Sequence, residues 1–140
     1  MAVALLLVAI FLAGCGTEDR EAHGRRVAEG YLQAVKANDL DGAITYFAPG
    51  YLETRNPQVL KQDIQIITAR LGDLRSYRLT AARSRTGFVP PETGAFVSLQ
   101  YEVHYARHAA EERFTIQKPF GRGEYKIVGH SIVSEGFARE

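Results

Sequence analysis

Ala95-Phe96-Val97-Ser98-Leu99-Gln100-Tyr101-Glu102-Val103-His104-Tyr105-Ala106 is the stretch on which the fold turns. Val97, Leu99, Tyr101, Val103 and Tyr105 alternate with Ser98, Gln100, Glu102 and His104, the period of a strand with one face in a core and one in water. A slip of one residue would expose the whole apolar set. At roughly 1.5 to 3 kcal/mol for each large apolar side chain, that costs several kcal/mol, a large share of a domain's net stability. The five apolar residues therefore face inward. None is a carboxylate or a histidine, and Glu102 and His104 fall on the outer face.

On either side the same period recurs more weakly. Ser76 to Thr86 sets Tyr77, Leu79 and Ala81 against Arg78, Thr80 and Ala82, and is closed by Gly87 and Pro90-Pro91. After a turn at residues 107–110, Glu112 to Lys118 puts Phe114 and Ile116 inward. The residues Gly121-Arg122-Gly123 then turn into a last strand from Tyr125 to Ser134, where Gly129 can seat a bulge that turns His130 inward. The arginines at 75, 78, 83, 85 and 113, with Glu102, Glu111, Glu112 and Glu124 to balance them, read as solubilising charge on the sheet.

Upstream the period becomes helical. Thr17, Glu18 and Asp19 suit a helix start, and Val27, Ala28, Tyr31, Leu32, Ala34 and Val35 form one stripe up to about Ala37. The first turns, through Arg26, are almost wholly polar and read as an exposed lead-in. Asn38-Asp39 breaks this helix. Leu40, Ala43, Ile44 and Phe47 mark a second, ended by Pro49-Gly50. Asn56-Pro57 opens a third, with an N-cap followed by proline at the first helical position. Its apolar face is Leu60, Ile64, Ile67 and Leu71, and Gly72 stands at its C-terminal cap. The expected fold is α+β, three N-terminal helices packed on one face of a bent, mainly antiparallel four-stranded sheet.

The formal charge of +1 gives no field to draw the chain to nucleic acid. His23, His104, His108 and His130 have no metal-ligand spacing, so neither metal nor cofactor is expected. Cys15 is the single cysteine, which rules out a disulfide within the chain.

The context of that cysteine is informative. Ala2 to Ala13 is an unbroken small or apolar run, about 18 Å long as a helix against a hydrocarbon core of about 30 Å. It is too short to cross a bilayer and fits the apolar segment of a secretion signal, although the first basic residue is Arg20. Leu12-Ala13-Gly14-Cys15 resembles the bacterial lipobox, which implies a diacylglyceryl group on Cys15 and cleavage just before it. The expected organisation is a signal peptide over residues 1–14, a lipidated N-terminus, tether and start of the first helix over 15–26, and one domain over 27–140. By resemblance to sorted lipoproteins, Gly16 rather than aspartate after the cysteine implies the periplasmic face of the outer membrane in a two-membrane host.

The order of elements resembles the nuclear transport factor 2-like superfamily, whose cone-shaped (cystatin-like) α+β domain also occurs in small bacterial lipoproteins. The local features that carry this are Tyr31 to Asp39 with Ala43 to Gly50, then Leu99 to Val103, and Glu124 to His130. The resemblance implies a pocket between helices and sheet. Tyr31, Tyr46, Tyr101, Tyr105 and His130 are the candidates to line it, as hydroxyls and an imidazole in an apolar cavity. No catalytic residue is assigned. The expected function is a lipid-anchored, non-enzymatic binding or accessory module of the cell envelope, with an unknown protein or small-molecule ligand and a possible homodimer. The alternatives are a pocket enzyme of the ketosteroid-isomerase-like kind and a structural protein that works through its outer sheet face.

Overall fold

A computed structural model describes residues 17–121 and 123–138. The apolar run, Cys15 and Gly16 lie outside these residues. The element order is α1 (Thr17–Lys36), α2 (Leu40–Ile44), α3 (Pro49–Thr54), α4 (Pro57–Leu71), β1 (Leu74–Val89), β2 (Glu92–Tyr105), β3 (Ala109–Lys118), β4 (Lys126–Val133) and a short 3-10 turn (Glu135–Phe137). The architecture is α+β. The four strands form one open antiparallel sheet in the order β1-β2-β3-β4.

The α4 boundaries follow the local chemistry of the chain. The Asn56 side chain accepts from the Gln58 amide, Pro57 opens the first turn, and Gly72 ends the helix at φ +91°. A second helix extending to Phe47 is not what forms. The segment breaks into α2 and α3, because Pro49 begins a helix rather than only ending one: Ala48 is extended and the proline takes the first helical position. Among the described residues there are thus four α-helices where three were expected. Between α2 and α3 the chain runs beside β4, with Ile127 N–H donating to Tyr46 C=O at 2.8 Å and Ala48 N–H to Ile127 C=O at 2.9 Å. That pairing covers an edge strand that would otherwise stand open.

The core fills the helical side of the sheet, where Leu99, Tyr101, Phe114, Ile116 and Ile127 meet Leu32, Phe47 and Ile64. In β1 a register shift between Leu79 and Ala81 adds a residue. Beyond it the inward side passes from Leu79 to Ala82, so Ala81 is exposed, contrary to the simple alternation.

α1 crosses the inner face and touches all four strands. Arg20 Nη1 donates to Thr86 Oγ1 at 2.8 Å, and Gln33 Nε2 to the Tyr77 hydroxyl at 2.6 Å. As the helix number rises the strand number falls, so α1 runs antiparallel to β1. The first turns are not an exposed lead-in. Gly24 is buried against Val97, and the His23 ring stacks on Tyr125 with centroids 5.1 Å apart. Polar residues serve here because a glycine lets the strand approach and the flanking side chains lay their apolar parts on the surface.

A Cβ at position 24 would stand 2.7 Å from Val97 Cγ1. Gly24→Leu is therefore expected to destabilise the protein by about 1–3 kcal/mol as an overpacked contact, measured by urea unfolding. On a free-standing helix the same change would stabilise, since leucine is the better helix former, and that result would contradict this placement of α1.

Candidate functional site

The alternation that points Phe114 and Ile116 inward on β3 carries two residues further back, to Glu112 and Ala110. Glu112 is a carboxylate inside the core, 1% exposed. Each neighbouring strand supplies one partner. From β2, the Tyr105 hydroxyl donates to Glu112 Oε2 at 2.8 Å; from β4, His130 Nε2 lies 2.9 Å from Glu112 Oε1. His130 reaches this position because β4 holds an extra residue at Val128, where Ile116 pairs with Ile127 but Thr115 pairs with Gly129. The imidazole thereby faces inward opposite Phe114, with ring centroids 4.9 Å apart.

An ionised carboxylate only accepts hydrogen bonds, so in this geometry both contacts are donations to Glu112. In a neutral ring the Nε2 proton of His130 is then committed to the interior, and Nδ1 is the nitrogen left to accept. Nδ1 has no hydrogen-bond partner among the described residues, and it is not sealed from solvent.

His130 lines a cleft of about 250 Å³ between α3, α4 and β4. The Tyr31 ring stands beside His130 at 5.4 Å between centroids; Tyr31 is 2% exposed and lines the same cleft. Burial, reinforced by the negative charge of Glu112, pushes the Tyr31 phenol well above its ordinary pKa. It stays an O–H donor. Leu60, Ile64, Ile67 and Ile132 form apolar walls, and at the rim Arg55 Nη2 pairs with Asp63 Oδ2 at 2.8 Å beside Tyr51. The cleft thus sets a phenol and an imidazole against aliphatic walls, with Ser131 and the Arg55–Asp63 pair also in its lining.

The five residues singled out from sequence do not share one pocket. Tyr31 and His130 face the cleft, and Tyr105 stands behind it through Glu112. Tyr46 packs against Gly30. Tyr101 is fully buried beneath α1, its hydroxyl without a partner; burial raises its pKa, with Glu29 adding to the shift and Arg25 opposing it. Cys15 lies outside the described residues. Glu112 was missed: sequence reading grouped it with the solubilising charges, whereas its parity with Phe114 and Ile116 was the available signal.

The outer sheet face carries a larger groove, about 540 Å³, lined by Thr80, Gln100, Glu102, Glu111 and Val133 among others. Its charges pair laterally. Glu102 bonds His104 Nε2 at 2.7 Å and Arg78 at 3.2 Å, contacts that hold its carboxyl below the usual range. Nothing here is both buried and free to meet a ligand, so the smaller cleft has the stronger chemistry. Among the described residues no group of three or more His, Cys, Asp or Glu could hold a metal ion.

No family model matches the chain, and neither does any curated protein.

Two phenol-to-phenyl substitutions on the same strand should act in opposite directions. Tyr101→Phe removes a buried hydroxyl with no partner and should leave stability unchanged or raise it by about 1 kcal/mol. Tyr105→Phe strips a donor from a buried carboxylate and should cost about 1–3 kcal/mol. Chemical denaturation of both variants checks the pair, and equal losses would contradict the hydrogen-bond assignment.

Proposed function

We propose that this protein is a lipid-anchored module of the cell envelope that binds a small ligand without turning it over, in the cleft where Tyr31 and His130 meet. Its domain is of the cone-shaped, nuclear transport factor 2-like kind, a reading supported by the order of helices and sheet and by a cleft on the helical side. Lipid on Cys15 holds it to a membrane, at the periplasmic face of the outer membrane in a two-membrane host. The lipobox-like closure at Leu12-Ala13-Gly14-Cys15 supports this.

The observation that carries the binding reading is the Tyr31 phenol beside the His130 imidazole in the lining of one cleft, framed by aliphatic walls. A ring alcohol or phenol fits this chemistry, since one hydroxyl can accept from Tyr31 and donate to His130. The volume, about 250 Å³, is below the roughly 300–1,000 Å³ of sites that enclose a whole drug-sized ligand. It suits one ring of a ligand whose remainder stays wet. Turnover through a carbanion or oxyanion favours a site closed to water, which this cleft does not provide.

One contact favours the second reading, a proton-transfer enzyme. Glu112 orients the imidazole as a carboxylate orients the histidine of a catalytic triad. A single experiment separates the two. Cyclohexanol added to isotopically labelled protein should shift the NMR signals of Tyr31, Ile64 and His130 saturably, and Tyr31→Phe should weaken binding about two- to tenfold, the value of one hydrogen bond. Cyclohexanone in deuterated buffer should exchange its α-protons no faster with the protein than without it. Exchange that is accelerated by the protein and lost in Glu112→Gln would establish the enzyme, and the absence of any shift at the cleft would refute binding there.

A further inference from the structure

Three large apolar side chains stand in water at one end of the molecule, and α1 starts at that same end. Phe88 and Val89 at the close of β1 are 77% and 75% exposed, and Phe120 in the β3–β4 connection is 56% exposed. The exposed Pro90 and Pro91 complete the tip. The two phenylalanines belong to one patch, with ring centroids 5.9 Å apart. Gly94 brings them together: at φ +112° it lies so close to the next strand that a Cβ there would stand 2.2 Å from the Lys118 carbonyl oxygen and 2.9 Å from Pro119. The backbone is built to hold the Phe120 connection against the β1–β2 hairpin.

Exposed apolar clusters of this kind mark contact surfaces, and the direction of α1 says with what. Arg20 reaches Thr86, two residues before Phe88, whereas Gln33 reaches Tyr77 far along the strand. The helix N-terminus therefore lies beside the hairpin tip. Cys15 precedes Thr17 by two residues, a reach of about 7 Å at most. Acyl chains on that cysteine would enter the bilayer next to the patch.

The charges round the tip are arranged for the same surface. Arg20 is tied to Thr86, the Arg85 guanidinium sits 4.1 Å over the Phe96 ring while pairing with Glu92, and the Lys118 ammonium lies 5.7 Å from the centre of the Tyr125 ring. Cationic heads thus ring an apolar tip, the arrangement of side chains that lodge at the headgroup level while their neighbours enter the acyl boundary. With Glu92 offsetting Arg85, the attraction is apolar rather than a net charge for anionic lipid.

We infer that Phe88, Val89 and Phe120 form a membrane-docking tip that seats the domain on the bilayer holding its lipid anchor, the α1 N-terminus downward. This rests on the lipidation of Cys15. It makes the anchor and the tip two attachments, so the domain has a fixed orientation instead of swinging on a tether. The far end of the sheet, where Val133 pairs with Glu111, faces away from the membrane.

The test uses the full chain, which contains no tryptophan, so that Phe88→Trp supplies the sole tryptophan signal. Protein purified from membranes is placed in phosphatidylcholine–phosphatidylethanolamine vesicles with and without brominated acyl chains, and its lipid is read by mass spectrometry. Phe88→Trp should be blue-shifted and quenched several-fold more than Val133→Trp, an exposed position at the opposite end. Adding Phe120→Ser should reduce the quenching while the circular dichroism stays unchanged. A lipidated protein whose Phe88→Trp signal is no more quenched than Val133→Trp overturns docking and leaves the anchor intact. Absence of lipid on Cys15 overturns both. A blue shift that needs no vesicles and disappears when Phe120→Ser converts a dimer to a monomer assigns the tip to a second copy, and overturns the bilayer as its occupant.

Discussion

The carboxylate of Glu112 is shut away from water in the middle of a four-stranded sheet, and its neighbours are placed to make that tolerable. An ion moved into a protein interior without partners costs several kcal/mol or more. Glu112 is held by one donor from each flanking strand, Tyr105 on β2 and His130 on β4. The three strands are thereby joined through side chains as well as through the backbone ladder. A network of this kind is worth having only when complete, because losing either partner leaves a buried acceptor unmatched. It also fixes register: if Val128 paired regularly with Thr115 instead of bulging, His130 would fall opposite Arg113 on the outer face and the carboxylate would lose a partner.

The cleft follows from the same constraint. Because Nε2 of His130 points into the core, the opposite edge of the ring points out, between α3, α4 and β4, where Tyr31 of α1 also arrives. The orientation of the imidazole at the surface is set by a hydrogen bond made beneath it. The helix that brings Tyr31 is positioned by contacts at both ends, from Arg20 to Gln33, and one of those ends carries the chain toward Cys15. A single placement of α1 thus serves both the cleft and the end of the molecule where Phe88, Val89 and Phe120 are exposed.

Much of this was legible in sequence where the signal is local. The alternation from Ala95 to Ala106 fixes the inner face of β2, and Asn56, Pro57 and Gly72 bound α4, because caps and strand parity act over a few residues. What could not be read depends on distant partners. Glu112 looks like surface charge until Tyr105 and His130 are seen beside it, although its parity with Phe114 pointed inward. Gly24 gives no apolar signal, since its role is to let Val97 approach. The bulge between Leu79 and Ala81 shifts parity without a glycine to announce it. Pro49 is compatible with ending one helix or beginning another, and only the pairing of Phe47 with Ile127 separates the two.

The hydrogen bond between Glu112 and His130 is most directly tested through the nitrogen chemical shifts of the imidazole. Where those shifts show the ring to be neutral, His130 should be the tautomer with its proton on Nε2. Nδ1 should then show the shift of a bare ring nitrogen that moves when a hydroxylated ligand enters the cleft. A neutral ring with its proton on Nδ1 would mean that the ring does not donate to Glu112 in this way, and would contradict the core network, while a ring protonated on both nitrogens would contradict the acceptor that the cleft reading uses.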